Sequence, residues 1–420
     1  MGFSKNPYNF RPLRVSPDDR ELFVGRPTER EQFRIQVVGP DGGIVLVQGP
    51  IGVGKTSFVN AMQYSKWNPE GRKRNKSSPG YLPSFETIEL KEDVDLSDFM
   101  LSVLSNCIYS FEKIHGEVSQ DDPDLSAGKE LVASTVKAGL GGFNISILGT
   151  GGGVERNDVV TQPARIPLQT IMNVMDKWFD AVVSKYHYKA ILVPINNLDV
   201  ISENGLLGFL NSARDTLLSR HHVWWILIGG PDLSTTLETK ARRVSEMVTG
   251  MSMNLEPMSL SEINSAIEAR IRKFRTTKDA SPPVPQKVVD LLYKVSNGEI
   301  RYIFRRLTNI VYQFKLTFPS EKQIPLDVAI KSLKLLAQAE LDRLNLTSKE
   351  EDLLRGAANL VTFRIRDFKE FGYSSAQGFQ QVVTRMTQRE LLTKARKSRK
   401  EVLYSATGDV NLVYGKSLPQ

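Results

Sequence analysis

Cysteine, histidine and long apolar segments are scarce in this sequence, and each scarcity excludes a class of protein. The single cysteine, Cys107, cannot form an internal disulfide, which indicates a reducing compartment such as the cytoplasm. Its apolar neighbours predict a buried helix residue. The four histidines show no metal-ligand spacing with cysteine or acidic residues, so we expect no zinc site. Because no run of about 18 apolar residues occurs and the first residues lack the apolar segment of a secretory signal, we expect no contact with a membrane.

The composition is that of a globular protein with a basic balance. Hydrophobic residues make up 40% and charged residues 24% of the 420 residues, and a chain of this length has room for about two to three domains. The 55 basic residues outnumber the 47 acidic ones, which gives a net charge of +8. This charge is compatible with a polyanionic partner, although the position of the charges matters more than their total.

The most specific motif is Gly49–Thr56, GPIGVGKT, which matches the pattern GxxxxGK[ST] of a phosphate-binding loop, or P-loop. The β-branched run before it predicts a buried strand, and the residues after it predict a helix. In that arrangement, glycine N–H groups surround phosphates at a helix N-terminus, Lys55 neutralises the β- and γ-phosphates, and Thr56 ligates Mg²⁺. The predicted contacts of this loop with the nucleotide are Gly49, Ile51, Gly52, Val53, Gly54, Lys55, Thr56 and Ser57.

Further segments stand in a fixed order around the P-loop. They are an FVGR-like entry (21–33), a second strand and helix (84–104), an apolar strand ending in asparagines (189–201), a sensor-like strand (223–233), an arginine-bearing segment leading to a lid (241–274), and a lid helix (295–314). In this order, over about the first 310 residues, the chain resembles the AAA+ ATPases of the origin-recognition and initiator type and the related STAND NTPases.

The resemblance implies an α/β fold: a P-loop NTPase with a doubly wound parallel sheet, the ligand at the carboxyl ends of the strands, and an α-helical lid. It implies ATP and Mg²⁺ as cofactors and self-association of the chain. Val24 and Arg26 of the entry segment would pack on the adenine. Arg301 would contact the γ-phosphate from the lid, unless it is a surface arginine. Arg242–Arg243 either reach a neighbouring subunit's nucleotide or form a solvated basic pair.

The catalytic strand departs from the family pattern. That pattern ends the strand with two acids, and here Asn196 takes the magnesium-orienting position while Asn197 takes the position of the acid that activates water. An amide still hydrogen-bonds to magnesium's water ligands, but it carries no negative charge and cannot act as a general base. Asp199 remains nearby, and an alignment shift would make it the working acid. The sensor strand ends in Gly229–Gly230, without a polar side chain. We therefore expect ATP binding with slow or absent hydrolysis.

The C-terminal part predicts a second kind of unit. The sequence predicts helix starts at Thr347 or Ser348 and at Ser374–Ser375, a short helix closed by Gly372, and a hairpin turning at the sequence ATGD (406–409). Together these elements resemble a winged helix-turn-helix. Its third helix would enter the DNA major groove, and a basic run at the base of the wing would contact phosphates. Contact with a protein is the open alternative. The predicted DNA-binding residues are Gln377, Gln380, Gln381, Thr384, Arg385, Arg396, Lys397, Arg399 and Lys400.

These observations predict four parts of the chain. They are a P-loop NTPase core (1–255) with a Gly-rich hairpin insertion (about 136–154), a helical lid (256–325), a linker helix (326–345) and a winged helix-turn-helix (346–420). The predicted function is ATP-dependent assembly on double-stranded DNA. One alternative is a STAND-type signalling switch whose C-terminal domain binds a protein partner. A second is an active DNA-dependent ATPase that uses Asp199.

Overall fold

The core of the fold is a parallel sheet with helices on both faces. The computed structural model describes residues 2–74, 80–117, 122–137, 166–278, 280–397 and 402–415. Within these ranges the strands of the parallel sheet are β1 Gly43–Gln48, β2 Ile88–Glu89, β3 Ile191–Asn196, β4 Val223–Gly229 and β5 Met253–Asn254, in the spatial order β2-β3-β4-β1-β5. This order brings the carboxyl ends of β1 and β3 to opposite sides of β4 at the same edge.

The helices of the first unit are α1 Pro17–Leu22, α2 Pro27–Gln36, α3 Lys55–Trp67, α4 Pro69–Arg74, α5 Leu96–His115, α6 Pro123–Lys137, α7 Leu168–Tyr186, α8 Glu203–Ala213, α9 Leu233–Lys240 and α10 Arg242–Ser245. A single π-helical turn, Arg214–Leu218, follows α8. Cys107 is buried in α5, as predicted. None of the helices in the described ranges combines the length and the apolar character of a membrane span.

Strand residues alternate between two apolar layers because successive side chains point to opposite faces of a sheet. Ile44 and Leu46 of β1 pack in the layer formed with α5 and α7, while Val45 and Val47 pack in the layer with Phe58 of α3. All seven residues of β4 are buried, as expected for a central strand covered on both faces. The doubly wound sheet predicted from the sequence is therefore confirmed.

The lid consists of α11 Leu260–Phe274, α12 Gln286–Ser296, α13 Ile300–Thr317 and α14 Leu326–Asp342. A capping box between Ser259 and Glu262 begins α11; such a cap satisfies N–H groups that a helix start leaves free. The helix predicted as a linker, α14, packs its middle turns into the apolar core of the lid, and Leu341 in its last turn packs with the C-terminal unit.

The C-terminal unit contains α15 Ser348–Ala358, a 3₁₀ turn Ile365–Lys369, α16 Ala376–Gln388, the antiparallel strands β6 Leu392–Lys397 and β7 Val402–Ala406, and α17 Gly408–Tyr414. The predicted helix starts are confirmed: Thr347 forms a capping box with Glu350, and Ser375 caps α16. Gly372 has a positive φ of 74°, a backbone conformation that suits glycine best.

The predicted position of the hairpin turn is wrong. The hairpin pairs β6 with β7, whereas the residues after ATGD form α17. The alternation of Leu412 with Tyr414 suggested a strand, but Val410 and Leu412 are buried by packing a helix between the C-terminal unit and the lid. Arg396 and Lys397 of the basic run therefore lie in β6. Arg399 and Lys400, like residues 138–154 of the Gly-rich insertion, lie outside the described residues.

Candidate nucleotide site

A cavity of about 230 Å³ lies where β1 and β3 end and α3 begins. Its walls come from the P-loop, the asparagine-ending strand, the N-terminal segment, the lid and the C-terminal unit. The lining residues are Asn9, Phe10, Arg11, Pro12, Ile51, Gly52, Gly54, Lys55, Thr56, Ser57, Asn196, Asn197, Asp199, Val200, Arg270, Ile300, Arg301, Phe304 and Glu390.

The P-loop backbone requires its glycines. Gly52 and Gly54 have φ values of 82° and 94°, a backbone conformation that residues other than glycine rarely adopt. A Cβ on Gly49 would lie 2.3 Å from the carbonyl oxygen of Leu255. Gly54 precedes α3 and has no side chain to cap its first turn. The N–H groups of that turn are therefore available to an anion.

Lys55 is held at the inner side of this loop. Its Nζ donates hydrogen bonds to the carbonyl oxygens of Gly49 (2.8 Å) and Pro50 (3.1 Å) and lies 3.5 Å from Oδ2 of Asp199. Burial lowers the pKa of Lys55, the nearby Arg301 lowers it further, and Asp199 opposes both effects. The site thus concentrates positive charge around one carboxylate.

The end of β3 brings both predicted asparagines and Asp199 to the cavity. Asn197 has a left-handed backbone with a φ of 65°, a conformation that asparagine adopts more readily than most residues. That turn points Asp199 back towards Lys55. The sequence did not indicate where the side chain of Asp199 points; in the structure it lines the cavity.

The glycines at the end of β4 leave little room for a polar sensor. A Cβ on Gly229 would lie 3.0 Å from the side chain of Leu233, and one on Gly230 would lie 3.3 Å from Cβ of Asp199. A side chain at either position would displace Leu233 or the carboxylate that faces Lys55. Neither glycine lines the cavity.

The entry segment supports the P-loop without lining the cavity. Arg26 is 5% exposed, and its guanidinium donates to the carbonyl oxygens of Val53 (2.9 Å) and Glu256 (2.8 Å). Burial is the main cause of a lowered pKa of Arg26. Val24 packs against the apolar core of the lid. These contacts differ from the adenine contact that the resemblance implies for both residues.

The lid closes one side of the cavity through the start of α13. The backbone N–H of Arg301 donates to the carbonyl oxygen of Gly52 (3.2 Å), and its side chain lines the cavity. Glu299, two residues before Arg301, packs directly over Gly52. The pKa of Glu299 is raised to about 7, mainly by burial; Arg305 and Arg301 oppose this shift, and Glu390 and Asp409 add to it.

Sequence reasoning missed three walls of this cavity. Residues 9–12 form one of them; Tyr8 is buried in the lid core, and Leu13 bonds through its N–H to the hydroxyl of Ser57 (3.0 Å). An extended segment of this kind has no hydrophobic periodicity from which its position could be predicted. Arg270 in α11 and Glu390 after α16 reach the cavity only through tertiary packing.

The predicted DNA-binding residues divide into two groups. Gln377, Gln380, Gln381 and Thr384 are exposed on α16. Arg385 is also exposed, but its Nε donates to Glu350 on α15 (3.0 Å). Arg396 and Lys397 belong to β6. Outside this unit, Arg242 is exposed and pairs with Glu246 (3.1 Å).

Comparison with known proteins bears on the fold. The sequence matches no protein-family model and no curated protein. It is similar in structure to the Aeropyrum pernix ORC2 protein solved as ADPNP–ADP complexes, with 12% identity, a TM-score of 0.52, and coverage of 97% of this chain and 95% of that one. The ADP form of that protein gives 12% identity, the same coverage and a TM-score of 0.50. The chain therefore shares the fold of that protein: a P-loop NTPase core with a helical lid and a C-terminal winged helix, as its motifs predict.

Proposed function

We propose that this protein binds ATP·Mg²⁺ at the P-loop cavity and double-stranded DNA through its winged helix, with the nucleotide state controlling assembly on DNA. Hydrolysis is slow or absent. The observation that carries this proposal is the cavity itself: an intact P-loop faces a strand that ends in two amides. The same proposal includes self-association and a cytoplasmic location.

The cavity fits a nucleotide triphosphate by its donors. Lys55, Arg301 and the uncapped first turn of α3 supply positive charge and N–H groups on one side, which is the chemistry that phosphates require. Asn9–Pro12 line the same cavity, and these residues, in place of Val24 and Arg26, are suited to cover the base. Arg26 then holds the P-loop in shape.

Magnesium would be held by Thr56 and, through water, by Asn196. A bound Mg²⁺ supplies charge neutralisation for the β- and γ-phosphates. Asn197 can orient a water molecule but cannot take its proton, and loss of a positioned base typically reduces the rate about 10²–10⁴-fold. Slow turnover follows from these two amides.

The winged helix supports the DNA part of the proposal. Four uncharged polar side chains lie exposed on α16, and glutamine amides recognise base edges in the major groove. The basic run with Arg396, Lys397, Arg399 and Lys400 supplies phosphate contacts along the wing. The AAA+ initiators that the sequence resembles carry such a domain at their C-terminal end.

An active ATPase is a second candidate, favoured by one observation. The carboxylate of Asp199 lies 3.5 Å from Lys55 and lines the cavity beside Asn197. Its distance from the attacking water then decides whether it acts as base. A STAND-type switch, in which the winged helix contacts a protein, is the third candidate.

A single experiment on the full chain tests these candidates together. ATP affinity, ATP turnover and oligomer size are measured with and without duplex DNA at moderate salt. The proposal expects ATP binding, retention on DNA, DNA-dependent assembly and turnover well below roughly 1 s⁻¹. Nucleotide binding without DNA retention would favour the signalling switch, and DNA-stimulated turnover lost in Asp199→Asn would favour the ATPase.

A further inference from the structure

Glu390 lines the nucleotide cavity although it belongs to the winged-helix unit. It lies in the turn between α16 and β6. Across the described residues, its carboxylate has neither a hydrogen bond nor an ion pair. Its backbone is left-handed, with a φ of 58°, which is uncommon for a residue other than glycine, asparagine or aspartate. Strain of this kind concentrates at functional sites.

Glu390 shares the cavity with the start of the lid helix α13. Its charge acts on Glu299, which itself covers Gly52. Arg301, the lid residue that would contact the γ-phosphate, lines the same cavity and binds Gly52 through its backbone. A carboxylate and the cation that would receive the terminal phosphate therefore line the same cavity.

A built interface holds the winged-helix unit in this place. Arg306 of α13 is fully buried and forms ion pairs with Asp409 of α17 and with Glu340 of α14 (2.6 Å). The hydroxyl of Tyr302 donates to Asp409 (2.7 Å), and Gly408 lies so close to the Tyr302 ring that any Cβ would collide with it.

The two functions of α13 lie within its first two turns. Arg301 lines the cavity beside the P-loop, whereas Tyr302 and Arg306 bind Asp409 of α17. Asn411 adds a hydrogen bond from α17 to the carbonyl oxygen of Val295 at the end of α12 (2.8 Å). A shift of the winged-helix unit would therefore move Glu390 relative to Arg301.

We propose that Glu390 is a specificity residue of the nucleotide site: while the winged-helix unit is docked, its carboxylate disfavours a triphosphate relative to a diphosphate. The added γ-phosphate brings negative charge towards a carboxylate that has no cation of its own. Because coupling between sites is reciprocal, a triphosphate then weakens docking of the winged-helix unit by the same factor. This inference rests on nucleotide binding at the P-loop, as proposed above.

The test compares Glu390→Gln with the wild type in the full chain. Glutamine keeps the shape and removes the charge. We expect ATP affinity to rise about three- to tenfold and ADP affinity to stay unchanged, so that the ratio of the two affinities shifts. Glu370→Gln is the matched control, because Glu370 is an exposed glutamate of the same unit outside the cavity. It should change neither affinity.

Each other outcome overturns the inference in a distinct way. Equal changes for ATP and ADP would show a structural effect of the turn, and a fall in ATP affinity would show that the carboxylate assists the Mg²⁺ complex. Unchanged affinities would remove Glu390 from the site. Wild-type protein that binds neither nucleotide would overturn this inference together with the proposed function, whereas the other three results leave nucleotide binding intact.

A second readout follows the winged-helix unit directly. Fluorophores attached after Ile35→Cys and Ser374→Cys, both exposed positions, report the distance between the core and the winged-helix unit. Cys107 will not compete for the dyes, because it is buried and burial raises its pKa to about 12. A non-hydrolysable ATP analogue should lower the energy transfer and ADP should not. Equal transfer with both nucleotides would contradict the coupling, and Glu390→Gln should abolish the difference.

Discussion

The ends of β1 and β3 meet at one cavity, and they differ in chemistry. The P-loop after β1 carries glycines, Lys55 and Thr56, all suited to anions and Mg²⁺. The end of β3 carries two amides and a single carboxylate already close to Lys55. The comparison teaches that the groups suited to bind a nucleotide and the groups that would hydrolyse it lie on separate strands, so that one set can be kept while the other is lost.

The largest expected effect is on the P-loop side. Lys55→Ala should abolish ATP binding, a reduction of at least about 100-fold, because the phosphates lose the ammonium group that the loop carbonyls hold in place. Equilibrium binding of ATP measures it. Lys349→Ala, an exposed lysine of α15, is the control and should leave affinity unchanged. Unaltered affinity in Lys55→Ala would remove the P-loop from the site.

The β3 side predicts a gain. Asn197→Glu, alone or with Asn196→Asp, should raise ATP turnover by about 10²-fold, the usual contribution of a positioned base. The left-handed backbone at position 197 reduces the gain, because holding a glutamate in that conformation costs about 1–2 kcal/mol of conformational free energy that asparagine largely avoids. The absence of a polar sensor side chain at Gly229–Gly230 reduces the gain further. Steady-state phosphate release measures the effect.

The winged helix extends the comparison from the nucleotide to DNA. Replacing Arg396, Lys397, Arg399 and Lys400 with alanine should weaken binding to all DNA sequences. It should also reduce the salt slope of affinity by about 0.9 for each DNA phosphate that the variant no longer neutralises. Lys331→Ala with Lys334→Ala removes two exposed charges outside the wing and serves as the control. An unchanged slope in the wing variant would favour protein contact by this unit.

The smallest predicted effect concerns Glu299, at the junction of the P-loop and the lid. Burial raises its pKa from 4.5 to about 7, with Arg305 and Arg301 opposing and Glu390 and Asp409 adding to the shift. Between those values the folded chain binds more protons than the unfolded chain, so the free energy of unfolding falls as pH rises through this window. Glu299→Gln removes this loss of stability.

Thermal unfolding at pH 5 and pH 8 measures the effect of that substitution. Glu299→Gln should be about 1 kcal/mol more stable than the wild type at pH 8 and close to it at pH 5. Glu370→Gln provides the comparison at an exposed site. A stability difference that is the same at both pH values would contradict the assigned ionisation of Glu299.

The sequence predicted the parts of the fold whose cause is local. The P-loop, the burial of β1, and the helix starts at Thr347 and Ser375 follow from spacing and side-chain chemistry within a few residues. The hairpin failed at ATGD because Leu412 and Tyr414 fit the period of a strand over too few residues to exclude a helix, and the choice depends on packing against the lid.

The walls of the cavity could not be predicted for the same reason. Residues 9–12, Arg270 and Glu390 are distant in the chain and reach the cavity only through tertiary contacts. The direction of Asp199 depended on the left-handed turn at Asn197. The predicted domain boundaries, the trans role of Arg242 and Arg243 and the DNA contacts stay predictions, and α14 shows that a helix assigned as a linker can belong to the core of the lid.

Turnover of ATP by the wild-type protein tests the central claim most directly. It is measured as phosphate release under saturating ATP·Mg²⁺, with and without duplex DNA, beside Asp199→Asn. The account predicts firm binding, turnover far below the usual enzyme range of roughly 1–10³ s⁻¹, and little change in Asp199→Asn. Turnover within that range that disappears in Asp199→Asn would contradict it and show that the carboxylate beside Lys55 completes an active site.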